Sequence, residues 1–299
     1  MSYTALANIV NPEVLADQIS AKFPDQMVFG NTNLVEIDTT FPLGSPGTVF
    51  TIPQWKRIAA FASLTEGTAM TPSNITTAKE NATVQRAGGA YAVYDIDTLV
   101  SKSDPLSEIS TQIGQQAARY IDNQVMLEAK KTPNVVDISG VSSGLWDQNT
   151  LVKALISTLG DNYMQMLAGG RVVMHSKTYQ DLLVTGAIQN NYQSNMDTLK
   201  TGFIPMISGI PISVSDLVTT STVSGTTFYT AYVVGPGSLA LFYQRNVNVE
   251  FDRDILLRAD VVAASVDFSA HLFGVDDANS GALVYEDAKS VHVVTIKTK

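Results

Sequence analysis

The side chains of this sequence that could do chemistry are three histidines and two groups of carboxylates. His175, His271 and His292 each lie in or beside an apolar segment, and none has a second histidine three or four residues away with which to share a metal ion. We interpret all three as structural. The sequence has no cysteine, which excludes disulfide bonds, thiolate nucleophiles and cysteine-ligated metal sites.

The first carboxylate group is an acidic turn near the C-terminus. Asp276, Asp277 and Asn279 are followed by Glu286 and Asp287, and such oxygen ligands suit Ca²⁺. Because their spacing matches no EF-hand loop, we favour a solvated surface loop and predict no metal site.

The second carboxylate group consists of Asp252 and Asp254, interleaved with Arg253 and followed by Arg258. In an enzyme the two aspartates would be paired carboxylates, and on an ordinary surface they would form salt bridges within the chain. In an assembling protein the same charges would form ion pairs between subunits. We favour this third interpretation.

Motifs for phosphate binding are absent from the sequence, which contains no GxxxxGK[ST] loop and no GxGxxG after a strand. The spacing GxSxG of a nucleophile elbow occurs once, at Gly140–Gly144, in a run of serine and glycine that we interpret as a loop. The run Gly235-Pro236-Gly237 is rich in glycine, but its proline lacks the backbone N–H that a phosphate cradle needs, so we interpret it as a turn. We therefore predict no catalytic residue, no cofactor and no enzymatic activity.

The composition predicts a folded protein that contacts other proteins. Of 299 residues, 45% are hydrophobic and only 16% are charged, which is typical of a folded chain that uses its surface for protein contacts. The formal net charge is −9, and adjacent basic residues occur only as Lys56-Arg57 and Lys130-Lys131. This pattern argues against sequence-specific nucleic-acid binding, although an acidic protein can still enclose nucleic acid without adsorbing to it.

Signals for export and membrane insertion are also missing from the sequence. The first residues, MSYTALANIVNPEVL, lack the basic start and the apolar core of a signal peptide. No window approaches the roughly 20 apolar residues that span a bilayer. We therefore expect no membrane association, and we expect the chain to assemble in the cytoplasm.

Two extended segments and a long helix occupy the first half of the chain. Residues 1–46 are interpreted as an N-terminal arm that contacts another subunit or, equally, as an ordinary N-terminal strand that joins the main sheet. Residues 47–94 predict a long polar β-arm. They carry β-branched and aromatic residues at strand spacing, but they contain no apolar run long enough to form a buried strand. Such a ribbon is marginal alone and must dock on something. Pro105 then opens a helix predicted to run to Lys131 on a single apolar stripe.

The second half of the chain mixes helices with strands and then turns to long strands. Residues 148–235 alternate helix and strand in a compact pattern. After Pro236 we predict strands at 238–252 and 256–273 and a last strand at 291–298. The uneven alternation of 256–273 predicts a β-bulge or a bend within it.

Taken in order, these elements resemble the major capsid proteins of tailed bacteriophages, which have the Hong Kong 97-type fold. The extended hairpin of that family, the E-loop, would be residues 47–92 here, carrying Trp55-Lys56-Arg57 and a tip at Leu64–Pro72. The run Arg86–Ala90 also looks like the family, as do Val172–His175 before a helix and the later segment Gly209–Asp216.

The resemblance implies an α+β fold of five parts. These are an N-terminal arm (1–46), an E-loop (47–92), a peripheral domain (93–147) with a spine helix (105–131), an axial domain (148–235) and peripheral-domain strands (236–299), with 288–299 left open between the two domains.

The resemblance also implies self-assembly through hexamers and pentamers into an icosahedral shell, part of the virion, that encloses double-stranded DNA without sequence-specific binding. The implied partners are other copies of the chain, a separate scaffolding protein and a portal. The residues expected at intersubunit contacts are Trp55, Lys56, Arg57, Glu66, Arg86, Asp252, Arg253, Asp254 and Arg258.

Three other classes of protein remain as alternatives. An encapsulin-like nanocompartment shell shares the fold but tends to begin with a helix, whereas this chain begins with an arm. A β-rich bacterial surface or adhesion protein suits the Thr- and Val-rich strands but not the missing signal peptide. An enzyme would need a pocket with convergent titrating groups.

Overall fold

The structure of the protein is a computed structural model that describes part of the chain. The described residues are 27–30, 35–38, 49–56, 58, 63, 65–67, 69–70, 72, 74–101, 105–139, 148–184, 206–207, 209–223, 226–276, 282–283 and 291–298. Within these ranges the protein is a mixed α+β structure. None of the helices described there is long and apolar enough to cross a bilayer.

The helices of the described chain lie between Asp95 and Val184, and runs of strands precede and follow them. The strands are β1 (Val35–Asp38), β2 (Val49–Trp55), β3 (Thr77–Thr83), β4 (Gln85–Tyr94), β5 (Val135–Asp137), β6 (Arg171–Met174), β7 (Met206–Ile207), β8 (Ile210–Val214), β9 (Thr220–Val223), β10 (Thr226–Val234), β11 (Leu239–Asp254), β12 (Ala259–Leu272), β13 (Val275–Asp276), β14 (Ala282–Leu283) and β15 (Val293–Thr298). The α-helices are α1 (Asp95–Val100), α2 (Pro105–Ala129), α3 (Gln148–Leu159), α4 (Tyr163–Gly169) and α5 (Ser176–Val184), with a 3₁₀ turn at Gly160–Asn162.

The first sheet has four strands in the order β1-β11-β12-β4 and supports the long helix α2. Strand β1 runs parallel to β11, and the other two pairings are antiparallel. Helix α2 forms because Pro105 suits its first turn and because Ile113, Ile121 and Val125 recur on one buried face. That face packs on the sheet, and the helix agrees closely with the predicted span of 105–131.

The second sheet has seven strands, with the path β5-β15-β10-β6-β8-β7 and β9 paired to β10. Its central strand β10 is buried over its last five residues, which explains the continuous apolar run of its sequence. Helices α3, α4 and α5 contribute apolar side chains to the core of this sheet, among them Leu155, Met166 and Leu182. A separate cluster under the C-terminal half of α2 joins the two sheets through Tyr232 and Phe268.

The predicted β-arm is shorter in its paired part than the sequence indicated. Strands β2 and β3 pair only with each other and form a hairpin from Val49 to Thr83, whereas β4 pairs along its whole length with β12 in the first sheet. Gly88 permits this close pairing, because a Cβ atom there would lie 2.6 Å from the carbonyl oxygen of Ala264.

The C-terminal strand β15 and the short β5 both join the second sheet. The predicted bulge or bend differs in its position. The irregular pairing lies in β11, near Tyr243, Arg245 and Asn248, and not in the predicted strand 256–273. The extra residues of β11 oppose fewer residues of β12, which identifies the bulged strand.

Candidate intersubunit contact surface

The hairpin β2–β3 presents apolar side chains to solvent at its far end. Its last paired residues are Trp55 and Thr77, and beyond them the N–H of Lys56 donates to the carbonyl of Thr76 at 3.0 Å. Trp55 is 68% exposed, and Met70 and Ile75 in the connecting segment are also exposed. Large apolar side chains exposed at the end of a hairpin indicate a surface that another molecule covers.

A second exposed apolar surface lies where the β11–β12 turn meets helix α1. Leu256 is 96% exposed and Leu99 is 84% exposed. We call this surface the aliphatic tip. Its members are Ile96, Leu99, Val100, Ile255, Leu256 and Leu257, all of them exposed.

Charged side chains hold the two halves of the aliphatic tip together. One Nη atom of Arg253 donates to both carboxylate oxygens of Asp95 at 3.0 and 2.9 Å, and the other donates to Asp260 at 2.8 Å. The N–H of Asp95 donates to the carbonyl oxygen of Arg258 at 3.0 Å. The hydrogen bonds to Asp260 and to Asp95 raise the pKa of Arg253, so its guanidinium group stays protonated.

The turn itself is shaped by Asp254 and Arg258. One carboxylate oxygen of Asp254 accepts the N–H groups of Leu256 and Leu257 at 2.9 and 3.1 Å, and Arg258 has a positive φ of 50°. The predicted strand 256–273 was therefore wrong at its start, because β12 begins at Ala259. The three aliphatic residues before it form an exposed turn.

The predicted charged cluster is thus spread over the end of β11 and the turn. Asp252 and Asp254 accept local backbone N–H groups, and Arg253 bonds within the chain, as in the salt-bridge interpretation. A role of Asp252, Arg253, Asp254 and Arg258 between subunits stays a prediction.

The remaining predicted contact residues lie on the hairpin and at the start of β4. Trp55, Lys56 and Glu66 are exposed. Arg57 lies outside the described residues. Arg86 faces its cross-strand neighbour Asp267, with Nε donating to Oδ1 at 2.7 Å and an Nη donating to Oδ2 at 3.2 Å. Arg86 therefore forms a two-point contact within the chain.

This contact gives the chain a defined acid sensitivity. Arg86, aided by Arg245, holds the pKa of Asp267 below its usual range, so the unfolded state binds a proton more readily than the folded state. The contribution of Asp267 to the stability of the folded chain is complete above the unfolded-state pKa of about 3.9. It is lost as the pH falls through the lower folded-state pKa. We expect the urea midpoint of the wild-type chain to fall more steeply below about pH 4 than that of Asp267→Asn. Equal slopes for the two proteins would contradict this assignment.

The three histidines occupy different environments. His271 is fully buried and hydrogen-bonded to Glu80 at 3.0 Å. His175 accepts the N–H of Lys177 through Nδ1 at 3.1 Å and lies against the ring of Tyr229. Partial burial lowers the pKa of His292. Among the described residues no three potential metal ligands cluster; of the predicted acidic turn, Asp277, Asn279, Glu286 and Asp287 lie outside them.

A groove of about 640 Å³ lies between α2 and strands β4 and β12. Its lining includes Arg86, Gly88, Tyr91, Arg119 and Tyr120. These residues bring together arginines, tyrosines and small side chains, and the lining contains no carboxylate or histidine that could act as a general base.

Sequence reasoning missed the aliphatic tip and the pairing of Glu80 with His271. The tip had a signal, since Ile255-Leu256-Leu257 is an aliphatic run flanked by Asp254 and Arg258. The Glu80–His271 contact had none, because the two residues are 191 positions apart.

Comparison with known proteins places this architecture among phage capsids. A family model described as phage capsid protein matches residues 77–282, which is more than half of the chain. No curated protein sequence matches this chain.

Three solved structures show the same fold at low sequence identity. The capsid of Ralstonia phage GP4 is 9% identical with a TM-score of 0.68, covering 100% of this chain and 94% of its own. A chain of Mycobacterium phage Che8 is 16% identical with a TM-score of 0.64, covering 91% of both chains. The capsid asymmetric unit of cyanophage Pam1 is 11% identical with a TM-score of 0.65, covering 100% of this chain and 95% of its own.

Proposed function

This chain belongs to the phage capsid protein family, and from that premise we propose that its copies form hexamers and pentamers that close into an icosahedral shell around double-stranded DNA. It is a major capsid protein of the virion that assembles with itself. The observation that carries the proposal is the presence, on a capsid fold, of two exposed apolar surfaces, the end of the hairpin and the aliphatic tip. Identical subunits that contact each other through different surfaces form a ring when the rotation between neighbours closes.

The parts of the capsid fold can be assigned to this chain. Residues 1–46 serve as the N-terminal arm, 47–92 as the E-loop and 105–131 as the spine helix. The first sheet, to which the arm contributes β1 and the end of the E-loop segment contributes β4, belongs to the peripheral domain, and the second sheet is the axial domain. The pairing of β15 with β10 supports placing the C-terminal strand in the axial domain.

The charge of the chain suits a DNA container. With a net charge of −9, the shell would repel the phosphate backbone overall and would not bind the genome tightly. DNA is then retained by enclosure and not by sequence-specific contacts. The protein acts as a structural subunit without catalytic activity, assembled in the host cytoplasm with a separate scaffolding protein and a portal.

The other interpretations of the sequence are less well supported. The family match is to a phage capsid protein, which favours a phage shell over an encapsulin-like compartment or a bacterial surface protein. The same match favours a structural subunit over an enzyme.

The test is electron microscopy and analytical ultracentrifugation of the purified chain, with and without the products of neighbouring genes. We expect rings of five and six subunits or closed shells, with closed shells of uniform size when a scaffolding protein is supplied. Uniform shells from the chain alone would contradict the scaffolding requirement. A monomer or small dimer under every condition would contradict the assembly proposal.

A further inference from the structure

A buried carboxylate–imidazole pair joins the hairpin to the first sheet. Glu80 lies in β3 and His271 in β12, and both side chains are fully buried. His271 Nε2 lies 3.0 Å from Glu80 Oε2, and the N–H of Gly274 donates to Glu80 Oε1 at 3.1 Å. Both oxygens of one carboxylate on the hairpin are therefore engaged by the body of the protein.

Apolar and aromatic side chains pack beside this pair. On the hairpin, Phe50 and Ala82 are buried, and Ile52 stands opposite Glu80 in the strand register. On the body, the ring of Phe242 lies 6.2 Å from that of Phe50, and the ring of Phe273 lies 5.7 Å from that of His271. Apolar contacts are not directional, whereas the pair supplies an oriented contact at this junction.

Stability alone does not explain a polar pair at this position. Removing a carboxylate from water is costly, and replacing a buried ion pair by apolar side chains of similar volume is often neutral or stabilising. What the pair adds is a defined angle between the hairpin and the sheet. Trp55 lies three residues beyond Ile52, about 10 Å further along the strand, so a small rotation at Glu80 displaces the exposed end of the hairpin.

We propose that Glu80 and His271 are positioning residues that latch the hairpin at the angle required for its exposed end to contact a second copy of the chain. The proposal rests on the proposed function, because it assigns the hairpin a contact between subunits. It separates two properties of the hairpin base: apolar packing holds the hairpin on the body, and the latch sets its direction.

The decisive experiment compares two variants with the wild-type chain. Glu80→Met combined with His271→Leu removes the latch but keeps the base apolar and filled. Glu80→Gln is the matched control, because its amide oxygen accepts the N–H of Gly274 and its amide group can pair with the imidazole in one tautomer. Hydrogen exchange of residues 49–55 and 77–83 is measured on unassembled chain, together with the urea midpoint and electron microscopy of assembled material.

We expect the double variant to keep a urea midpoint at or above that of the wild type while its hairpin amides exchange at least tenfold faster. Its assembled particles should be fewer and irregular, whereas Glu80→Gln should behave like the wild type in all three measurements. Wild-type hairpin exchange and wild-type particles in the double variant would overturn the proposal. A double variant that fails to fold would also overturn it, because the pair would then be required for the fold itself.

The exchange measurement keeps this proposal distinct from the proposed function. If the wild-type chain never assembled, the capsid assembly proposal would fail, but the comparison of hairpin exchange on unassembled chain would still confirm or contradict the latch.

Discussion

Replacing Ile255, Leu256 and Leu257 together by serine is expected to abolish shell assembly while leaving the chain folded. These side chains are exposed and lie beside the exposed helix α1, so their removal takes little from the core. If each is buried between subunits, it contributes about 1.5–3 kcal/mol, and three at every contact of a shell are enough to shift the equilibrium to free subunits. Sedimentation velocity across a concentration series measures the loss directly.

The matched control for the serine variant keeps the aliphatic tip apolar. Ile255→Leu with Leu256→Met and Leu257→Met retains the apolar area and the backbone turn that Asp254 supports. We expect this control to assemble near the wild-type concentration. If the serine variant also assembled there, the aliphatic tip would not be a contact between copies of the chain.

The parts of the fold that depend on local sequence could be predicted. Helix α2 was recognised because Pro105 marks its start and because its apolar stripe repeats at helical spacing. The hairpin strands β2 and β3 were recognised from strand-spaced residues with no buried run between them. Such signals depend on neighbours within a few turns or strand pairs.

The parts that depend on distant partners could not be predicted. Strand β4 reads like a continuation of the arm, and only the close approach of Gly88 to Ala264 reveals that it belongs to the first sheet. The aliphatic run at Ile255–Leu257 reads like the start of a buried strand, because the sequence does not show that Asp254 turns the chain there. The order of the elements in the sequence was enough to predict a capsid protein. The aliphatic tip was recognised only in the structure.

A second buried carboxylate binds backbone N–H groups of the N-terminal segment. Asp122 on α2 is buried, and one of its oxygens accepts the N–H groups of Phe29 and Gly30 at 2.6 and 2.8 Å. The N–H of Val28 also bonds to this carboxylate. Phe29 in turn packs edge-on against Tyr232 in the shared core.

Asp122→Ala is expected to destabilise the folded chain by about 3 kcal/mol, because it leaves two or more buried N–H groups unpaired at about 1–3 kcal/mol each. Asp122→Asn is the control, since its amide oxygen can still accept these N–H groups and its loss should be smaller. Urea unfolding measures the free energy, and hydrogen exchange at Phe29 and Gly30 reports the contact itself. An alanine variant with wild-type stability and protected amides at both residues would contradict this role.

The pH dependence of this contact should be opposite in sign to that of Asp267. Burial raises the pKa of Asp122 against the opposing effect of the N–H donors, so the folded state binds a proton more readily than the unfolded state. Stability from this group therefore increases as the pH falls through the raised folded-state value, and it is not lost in acid. We expect the advantage of the wild type over Asp122→Asn to persist at pH 4 to 5, because protonation of Asp122 favours the folded state, while Asp267 contributes equally to both proteins. Loss of that advantage in mild acid would show that the N–H donors, and not burial, govern the carboxyl group.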